Sequence, residues 1–490
     1  MAKTLKQRVA SGILWNGLSS AWNHICGFVI SVILARLLDP QDFGIIAITS
    51  SLIFILSIFL DVGFGASLVQ KKDIDDVDIA SVFFLNIGVA FFLYVILFFS
   101  AYFIADFYKQ PELKLCVQIL SLTIPIRALS MVQGALIYKR MEFALSFRIT
   151  FISVLISGTT GIIMALCGFK YWALIFQQIL NGCVVTTMQW IWGRWRPKLL
   201  FDIHRLKGLF RFGGKLFMAN TLESLQQNLF PLAIGKIYSL PLLSYYNRGQ
   251  HLTQAALGCI YGAIGSAFFP ILSDIQDDNE KLKQVIKNSE KNVMFFMIPA
   301  MLLLVAISTP FILVIYGEKW LAVAPFLKCF ALNAILFPLS SMNLQLLMAK
   351  GRSDTFLILE IIKKVLIVII FIVLYRYGIF VLLCGQICFG IIAYFLNSYY
   401  TKSLIGFSSL EQLKGISFYF LAGIISLVFS LLPSYLSPKI PVIQNLILTG
   451  VIFSVCYLGS VIIFRKIPFE ILTFLAKKIP LIKAEQKNDC

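Results

Sequence analysis

Hydrophobic residues fill this chain in long stretches of about 20 residues, the length at which a helix crosses the hydrocarbon core of a membrane. Short loops separate the stretches. Because no water is available at that depth, each stretch must satisfy its own backbone groups as a helix. The pattern predicts fourteen transmembrane helices, near residues 12–36, 43–69, 79–104, 113–137, 148–168, 171–193, 211–235, 250–270, 292–316, 322–348, 355–375, 378–401, 415–432 and 443–464.

The composition agrees with this pattern. Hydrophobic residues make up 59% of the chain and charged residues 13%, whereas soluble domains average about 45–50% and about 25%. The net charge of +18 does not indicate nucleic acid, because the basic residues lie in short loops between apolar stretches. The sequence therefore predicts an all-α polytopic membrane protein.

The distribution of Lys and Arg predicts the orientation. With the N-terminus in the cytoplasm, most of the 42 basic residues fall on the inner side. An even number of helices then places the C-terminus there as well. We expect a multi-pass protein of the bacterial inner membrane with both termini cytoplasmic.

Similar short segments recur in the two halves of the chain, as in a duplicated transporter. Arg36 ends the first predicted helix as Lys236 ends the seventh. Lys139 follows the fourth helix as Lys350 follows the tenth. Six helices per unit would give two parallel lobes. The predicted divisions are an N-terminal lobe at 1–193 (helices 1–6), a basic cytoplasmic linker at 194–210, a C-terminal lobe at 211–402 (helices 7–12), helices 13 and 14 at 403–464 and a basic cytoplasmic tail at 465–490.

Both predicted lobes begin with a helix that has one polar face. The polar residues recur at helical spacing, so they share a face that must turn towards protein or water rather than lipid. Hydrogen bonding between helices is the alternative to a transport cavity. Glu223 and His24 lie near mid-depth, where a cavity is favoured. The predicted polar cavity face comprises Asn16, Ser20, Asn23, His24, Asn220, Ser224 and Gln227, with Glu223 and Asp61 as candidates for ion coupling.

Several cations lie within or at the ends of the predicted helices. A cation at membrane depth is costly, so it should be paired or face a wet cavity. A structural ion pair is the alternative for Arg127, and Lys363 and Lys364 can snorkel or pair with Glu360. Cations outnumber anions along this path, which favours an anionic substrate. The predicted substrate-binding cations are Arg127, Lys215, Lys363, Lys364, Arg36 and Lys236.

Enzyme signatures fail on inspection. Residues 208–215 resemble a phosphate loop, but the lysine is one place late and Leu216 replaces Ser or Thr. Three His and scattered Cys form no metal-binding pattern. Asp39 and Asp42, in the first external loop, can serve a glycosyltransferase, but an N-cap and a first-turn acid explain them more simply. We therefore predict no catalytic residues, no metal and no cofactor.

Five segments carry a resemblance to a known family. They are Ile33–Gly44, Leu60–Gly65, Tyr245–Arg248, Phe269–Ser273 and Tyr316–Trp320. The chain resembles the Wzx-type polysaccharide transporters (O-antigen and exopolysaccharide flippases) of the multidrug/oligosaccharidyl-lipid/polysaccharide exporter superfamily, and is most similar to the colanic-acid and teichuronic-acid branch. The likeness runs through nearly the whole chain. It lies in the order and spacing of loose motifs.

This resemblance implies a function. It implies a flippase that moves polyprenyl-pyrophosphate-linked oligosaccharides from the cytoplasmic to the periplasmic leaflet by alternating access. Lipid-linked oligosaccharide and membrane lipids are then its partners, and we expect a monomer that binds no nucleic acid. Proton or sodium coupling and contacts with a polymerase or glycosyltransferases stay open. The alternatives are a cation-coupled drug antiporter of the same superfamily and a membrane glycosyltransferase or polymerase.

Overall fold

The computed structural model describes residues 5–60, 64, 67, 68, 71, 74–436, 440–466 and 468, and this part of the chain contains helices and no strand. The first half contains α1 (Leu5–Leu37), α2 (Pro40–Ser57), α3 (Asp76–Tyr108), α4 (Glu112–Leu120), α5 (Thr123–Lys139), α6 (Phe143–Leu166) and α7 (Tyr171–Trp192). The second half contains α8 (Ile203–Ile237), α9 (Leu240–Asp274), α10 (Asn279–Ile315), α11 (Val323–Ala334), α12 (Phe337–Ala349), α13 (Ser353–Leu374), α14 (Ile379–Ile405), α15 (Ser409–Leu436) and α16 (Val442–Ile463).

These helices form the predicted polytopic all-α architecture. The pairs α4–α5 and α11–α12 each occupy one predicted span, so the described helices correspond to the fourteen predicted spans. Within the described residues, nine segments are long and apolar enough to cross a membrane. The other five are α1, α7, α8, α9 and α13; α7 and α13 contain more polar or charged residues, and parts of α1, α8 and α9 lie outside the described residues. Three of them, α1, α8 and α13, carry most of the predicted site residues.

Two predicted spans are broken, and in the same way. The spans 113–137 and 322–348 were expected as continuous helices, and that expectation was wrong. Helix α4 ends at Leu120, with Ser121 as its C-cap, and Pro125 follows in α5. Helix α11 ends at Ala334, and Pro338 is the second residue of α12. Proline has no N–H to bond the carbonyl four residues earlier, so each helix stops about four residues before its proline.

The lysines that match in the internal repeat make matching contacts. The Lys139 ammonium donates to the carbonyls of Leu68, at 3.1 Å, and Lys71. The Lys350 ammonium donates to the Gln276 carbonyl and, at 2.7 Å, to the side-chain oxygen of Asn279. Each lysine thus ends a broken span and holds the loop that precedes α3 or α10. Structure and sequence agree on this part of the repeat.

Contacts divide the chain into two compact units, Met1–Asn247 and Arg248–Cys490. In the first unit, Phe64, Phe83 and Trp195 belong to a buried core. In the second, a larger core joins α10 to side chains of α12, α14, α15 and α16. Helix α8 packs on α2 and α3 and so belongs to the first unit. The predicted linker at 194–210 separates the two halves of the sequence repeat rather than the two units that contacts define. The division into lobes stays a prediction.

The start of α2 and the start of α9, two matching segments of the internal repeat, pack on each other within the first unit. A Cβ at Gly44 would lie 2.4 Å from the Leu240 carbonyl oxygen, so the start of α2 can approach α9 this closely only with glycine. The Ser244 hydroxyl donates to the Pro40 carbonyl at the same place. This contact explains why the motif Ile33–Gly44 ends in glycine.

Candidate functional site

The predicted polar face on α1 and α8 is only partly described. Asp61 and the side chains of Asn16, Ser20, His24, Lys215, Asn220 and Glu223 lie outside the described residues. Asn23 on α1 and Gln227 on α8 are exposed, whereas Ser224 is buried. The Ser224 carbonyl accepts a hydrogen bond from the Asn228 amide at 2.9 Å. The described part of α8 therefore has polar residues both inside and outside the packed interior.

Arg127 lies on α5, just after the helix break. Its side chain is exposed, and its backbone carbonyl accepts a hydrogen bond from Ser130 Oγ at 2.8 Å. Among the described residues, no carboxylate forms an ion pair with its guanidinium. The structural ion pair considered as an alternative is therefore absent from the described part of the chain, and the substrate role of Arg127 stays a prediction.

The two cations at the ends of α1 and α8 have different surroundings. The Lys236 ammonium lies 4.0 Å from the centre of the Phe107 ring and donates to the Phe107 carbonyl. Both side chains are exposed, so this contact stabilises the cation only modestly. Arg36, in the last turn of α1, is exposed. Lys236 thus ties the end of α8 to α3, and a further role in substrate binding stays a prediction.

The second unit holds a cluster of three charges in the middle of α13. Lys363 bonds Glu360, and the Lys364 ammonium lies 3.8 Å from the same carboxylate. The side chains are only 12% exposed for Lys363, 21% for Lys364 and 24% for Glu360. The pairing considered from the sequence is present, and it leaves the cluster with one net positive charge.

This cluster faces the interior of the second unit. The exposed side chains along this part of α13 are apolar and recur at helical spacing. They are Leu357, Ile358, Ile361, Ile362, Val365, Val368, Ile369, Ile372 and Val373. The three charges occupy the opposite face, where Leu359 and Ile367 are buried. An apolar outer face suits lipid, so the charges are turned towards protein at membrane depth.

Two motifs that the resemblance identified meet in the second unit. The Arg248 guanidinium lies 5.7 Å from the Tyr316 ring and 5.6 Å from the Trp320 ring. Trp320 is fully buried and belongs to a short 3₁₀ helix between α10 and α11. Two aromatic faces stabilise a cation held between them. This contact gives Arg248 a structural role that its sequence position did not reveal.

A buried polar network in the second unit was missed by the sequence reasoning. The Asn343 and Gln412 amides bond each other twice, at 2.9 Å in both directions. Thr401 donates to Asn343, and Tyr394 bonds Gln412 at 3.1 Å. Glu290, 2% exposed, also belongs to the buried interior of this unit. The signal available in the sequence was the group of polar residues in α12 and α14, which includes Asn343, Asn397 and Thr401.

Acidic residues near the start of α2 act on the backbone. Asp39 is the N-cap, Pro40 is the first helical residue, and Asp39 and Asp42 form a capping box. The Asp39 N–H donates to Asp42 Oδ2 at 3.2 Å. The helix-start interpretation of these two carboxylates is confirmed, and both are engaged in capping.

The predicted linker is bound to the first unit by ion pairs. Lys198 reaches Asp76 at 2.5 Å, and Arg205 pairs with Asp75 and, at 3.6 Å, with Asp78. The hydrogen bond from Arg205 holds the pKa of the Asp75 carboxyl below its usual value. The basic linker is thus neutralised in part by the acidic start of α3.

A multi-pass helical fold with charges turned inward at membrane depth defines a membrane transport protein. The chain belongs to the family described as polysaccharide biosynthesis protein, whose model matches residues 33–325, more than half of the chain.

Two relatives support this family assignment. The chain is 27% identical over 353 residues to the teichuronic acid biosynthesis protein TuaB of Bacillus subtilis (strain 168), covering 72% of this chain and 73% of that protein. It is also 27% identical over 357 residues to the lipopolysaccharide biosynthesis protein WzxC of Escherichia coli (strain K12), covering 72% of each.

Among solved structures, the fold is similar to that of the lipid II flippase MurJ in an inward closed conformation. The TM-score is 0.76 at 17% identity, over 93% of this chain and 99% of that one. At this identity the similarity establishes the fold alone.

Proposed function

We propose that this protein moves a polyprenyl-pyrophosphate-linked oligosaccharide from the cytoplasmic to the periplasmic leaflet by alternating access. The inward-facing cluster of Glu360, Lys363 and Lys364 on α13 is the observation that carries the proposal. Fixed positive charge in a poorly hydrated site attracts a pyrophosphate strongly, because little water screens it. The family relatives are named for polysaccharide biosynthesis, which agrees with this substrate class.

The cluster also argues against the runner-up function. A drug antiporter binds cations and therefore needs carboxylates in its path. On α13 two lysines surround one glutamate, so the pair-forming carboxylate is already neutralised. A glycosyltransferase is disfavoured as well, since Asp39 and Asp42 cap α2. The proposal is accordingly a transporter of an anionic lipid rather than an enzyme.

The test removes the cluster without leaving a buried charge unpaired. In the triple variant E360Q/K363Q/K364Q, polymer export should fall at least tenfold while the protein still accumulates in the membrane. The variant E360Q keeps both cations and should export far more polymer than the triple variant. Export is measured as surface polymer in cells that lack their own flippase and carry this protein.

A surface lysine provides the matched control. Lys402 is exposed in the last turn of α14, so K402Q removes a charge but not an inward-facing one. K402Q should export normally. Normal export by the triple variant at normal protein level would contradict the role of the cluster. Transport of cationic dyes by both the unchanged protein and the triple variant, with no polymer export by either, would favour the antiporter instead.

A further inference from the structure

A small pocket lies within the first unit, between α5, α6 and α7. Its volume is about 140 Å³. The described residues that line it are uncharged, and they include the side chains of Ser146, Thr150 and Gln189. A cavity of about 150 Å³ in a protein can admit a six-membered ring such as benzene. The pocket therefore has room for a ring of about that size.

The Gln189 amide is the most informative group in this pocket. Its Oε1 atom is buried and accepts no hydrogen bond, and its Nε2 atom donates none to a described residue. Buried polar atoms in proteins almost always have a partner, so this one points to a ligand or water that supplies it. The hydroxyls of Ser146 and Thr150 also have no hydrogen-bond partner among the described residues. An amide and two hydroxyls are thus available to a ligand as donors and acceptors.

Helix packing does not account for Gln189. Thr186 on α7 donates its hydroxyl to the Ile126 carbonyl of α5 at 3.0 Å. Trp190 donates its indole N–H to the Leu129 carbonyl at the same distance. Interhelical hydrogen bonds are the usual role of an amide inside a membrane protein. Gln189 lies between these two residues in the sequence and forms no such bond, so α7 is joined to α5 without it.

Gly134 on α5 leaves open the space that the pocket occupies. A Cβ at this position would lie 3.5 Å from Gln189 Nε2, which is an ordinary contact, so close helix approach does not require the glycine. In the register that pairs Lys139 with Lys350, Gly134 corresponds to Gln345. The second half of the repeat thus has a long side chain where the first half has none. The fold by itself therefore does not impose this space.

The chemistry of the pocket fits a sugar ring. A phosphate would require cations, and the described lining residues have none. An acyl chain would leave the amide and the two hydroxyls without partners. A sugar has hydroxyls that both donate and accept, and its C–H face packs on aromatic rings. Tyr138 and Phe143 supply such rings in the pocket, with their centres 5.5 Å apart.

The pocket lies at one end of its three helices. It is formed by the last turns of α5, the first turns of α6 and the last turns of α7. On the predicted orientation this end is cytoplasmic, the side on which a lipid-linked oligosaccharide begins its transport. Tyr138 is 57% exposed and Ser146 is exposed as well, so these two residues mark the opening of the pocket.

We propose that this pocket binds one sugar residue of the lipid-linked oligosaccharide, and that Ser146, Thr150 and Gln189 form hydrogen bonds with its hydroxyls. The inference rests on the proposed function for the source of the sugar, but it concerns a different site from the charged cluster on α13. The cluster attracts the pyrophosphate. The pocket distinguishes a lipid that carries sugar from one that does not.

The first test is photocrosslinking in cells that make the exported polymer. p-Benzoylphenylalanine in place of Tyr138 keeps an aromatic ring at the opening and should capture a polyprenyl lipid that carries sugar, identified by mass spectrometry. This adduct should disappear when the glycosyltransferase that starts the oligosaccharide is deleted. The same substitution at Tyr399, which is exposed near the end of α14, should capture phospholipid instead. A phospholipid adduct alone at position 138, or no adduct, would overturn the proposal.

The second test separates sugar binding from packing. Q189L/T150V nearly keeps the size of both side chains but removes their hydrogen bonds to the sugar. The yield of the adduct at position 138, which follows affinity when the lipid is scarce, should fall roughly twenty-five-fold, about fivefold for each bond. The melting temperature should stay or rise, because Q189L removes a buried amide that has no partner. A lower melting temperature with an unchanged adduct would make Gln189 structural and refute the proposal.

The matched control for this variant lies on the same helix. T186V removes a hydroxyl that does have a partner, the Ile126 carbonyl. It should lower the melting temperature slightly and leave the adduct at position 138 unchanged. The two variants therefore have opposite expected effects on stability and on capture of the sugar.

A substitution at Gly134 tests whether the sugar enters the pocket itself. G134L fills the space, so it should abolish the adduct and lower polymer export at least tenfold while the protein still accumulates. L129F adds volume at an exposed position of the same helix and should keep both adduct and export. If the pocket holds only water, G134L will behave as L129F does, and the proposal fails.

Failure of this proposal is distinguishable from failure of the proposed function. A sugar-bearing adduct at position 138, together with normal export by E360Q/K363Q/K364Q, would keep the pocket and refute the role of the cluster. Loss of export in that triple variant, together with only a phospholipid adduct at position 138, would keep the cluster and overturn the pocket.

Discussion

At the scale of single residues, many acidic side chains serve helix starts. Asp39, Asp75 and Asp278 each lie at the N-cap of a helix. Asp75 accepts from the Asp78 N–H at 3.1 Å, and Asp278 accepts from the Lys281 N–H at 3.0 Å. Each carboxylate also forms an ion pair with a basic side chain, Arg205 for Asp75 and Lys281 for Asp278. Their charge therefore contributes to stability as well as their shape.

The Asp75 pair should make stability depend on pH. Arg205 lowers the pKa of Asp75 in the folded protein, so the folded state favours the ionised carboxylate. The contribution is present above the usual pKa of 3.8 and is lost as pH falls through the lower, folded-state pKa. D75N keeps an N-cap residue but loses the charge. In detergent solution it should melt slightly below the unchanged protein at pH 7.

The control for this prediction is pH itself. The difference in melting temperature between D75N and the unchanged protein should shrink as the pH is lowered from 7 to below the folded-state pKa of Asp75, because the carboxyl is then protonated and as uncharged as the asparagine side chain. Since Asp75 and Arg205 are exposed, the effect at pH 7 should be small and should weaken with added salt. A difference that is the same at both pH values would show that Arg205 does not act through the carboxylate charge.

At the scale of helices, the two halves of the chain repeat the same construction. Each has a long helix capped by aspartate, then a span broken about four residues before a proline, then a lysine at its end. Pro125 and Pro338 were visible in the sequence, and the breaks could have been predicted from them. The loops that Lys139 and Lys350 hold could not, because their partners lie 68 to 74 residues away in the chain.

We expect Lys139 and Lys350 to hold their loops closed in the same way. A hydrogen bond from a charged donor contributes about 1.5 kcal/mol, which corresponds to about tenfold in an opening equilibrium. K350Q should therefore speed amide hydrogen exchange in the loop 274–279 about tenfold, and K139Q should do so around residues 67–75. Exchange is followed by mass spectrometry of the protein in nanodiscs.

Each lysine variant serves as the control for the other. K139Q should leave the loop 274–279 unchanged, and K350Q should leave residues 67–75 unchanged, because the two contacts lie in different units. Exchange that rises equally in both loops for either variant would indicate a general loss of stability rather than release of one loop. Unchanged exchange in both would show that the ammonium contacts do not hold the loops.

At the scale of the whole molecule, nine of the fourteen helical segments are apolar enough to cross a membrane by themselves, among the described residues. Of the other five, α13 is described in full and carries three charges, so it depends on neighbouring helices. For α13 the structure shows how this works, because its charges face protein and its apolar side faces outward. A chain with so many polar spans needs a protein interior in which to place them.

The orientation of the chain gives the whole-molecule prediction. We propose that both termini are cytoplasmic, from the excess of Lys and Arg in alternate loops. An alkaline phosphatase reporter, which is active only outside the cytoplasm, should be active when fused after Lys109 and inactive after Lys402. A fluorescent protein fused at Lys487 should fluoresce. An active phosphatase at Lys402, or a dark protein at Lys487, would reverse the orientation.

The sequence by itself determined the helical class, the number of spans, the capping of α2 and the depth of Lys363 and Lys364. These features depend on the length, periodicity and neighbours of one segment, and such properties are local. Only the tertiary structure decided which way α13 turns its charges and which rings surround Arg248. It also decided that Gly134, Thr150 and Gln189 share a pocket. These arrangements join residues from separate helices, so they depend on packing, which no single stretch of sequence encodes.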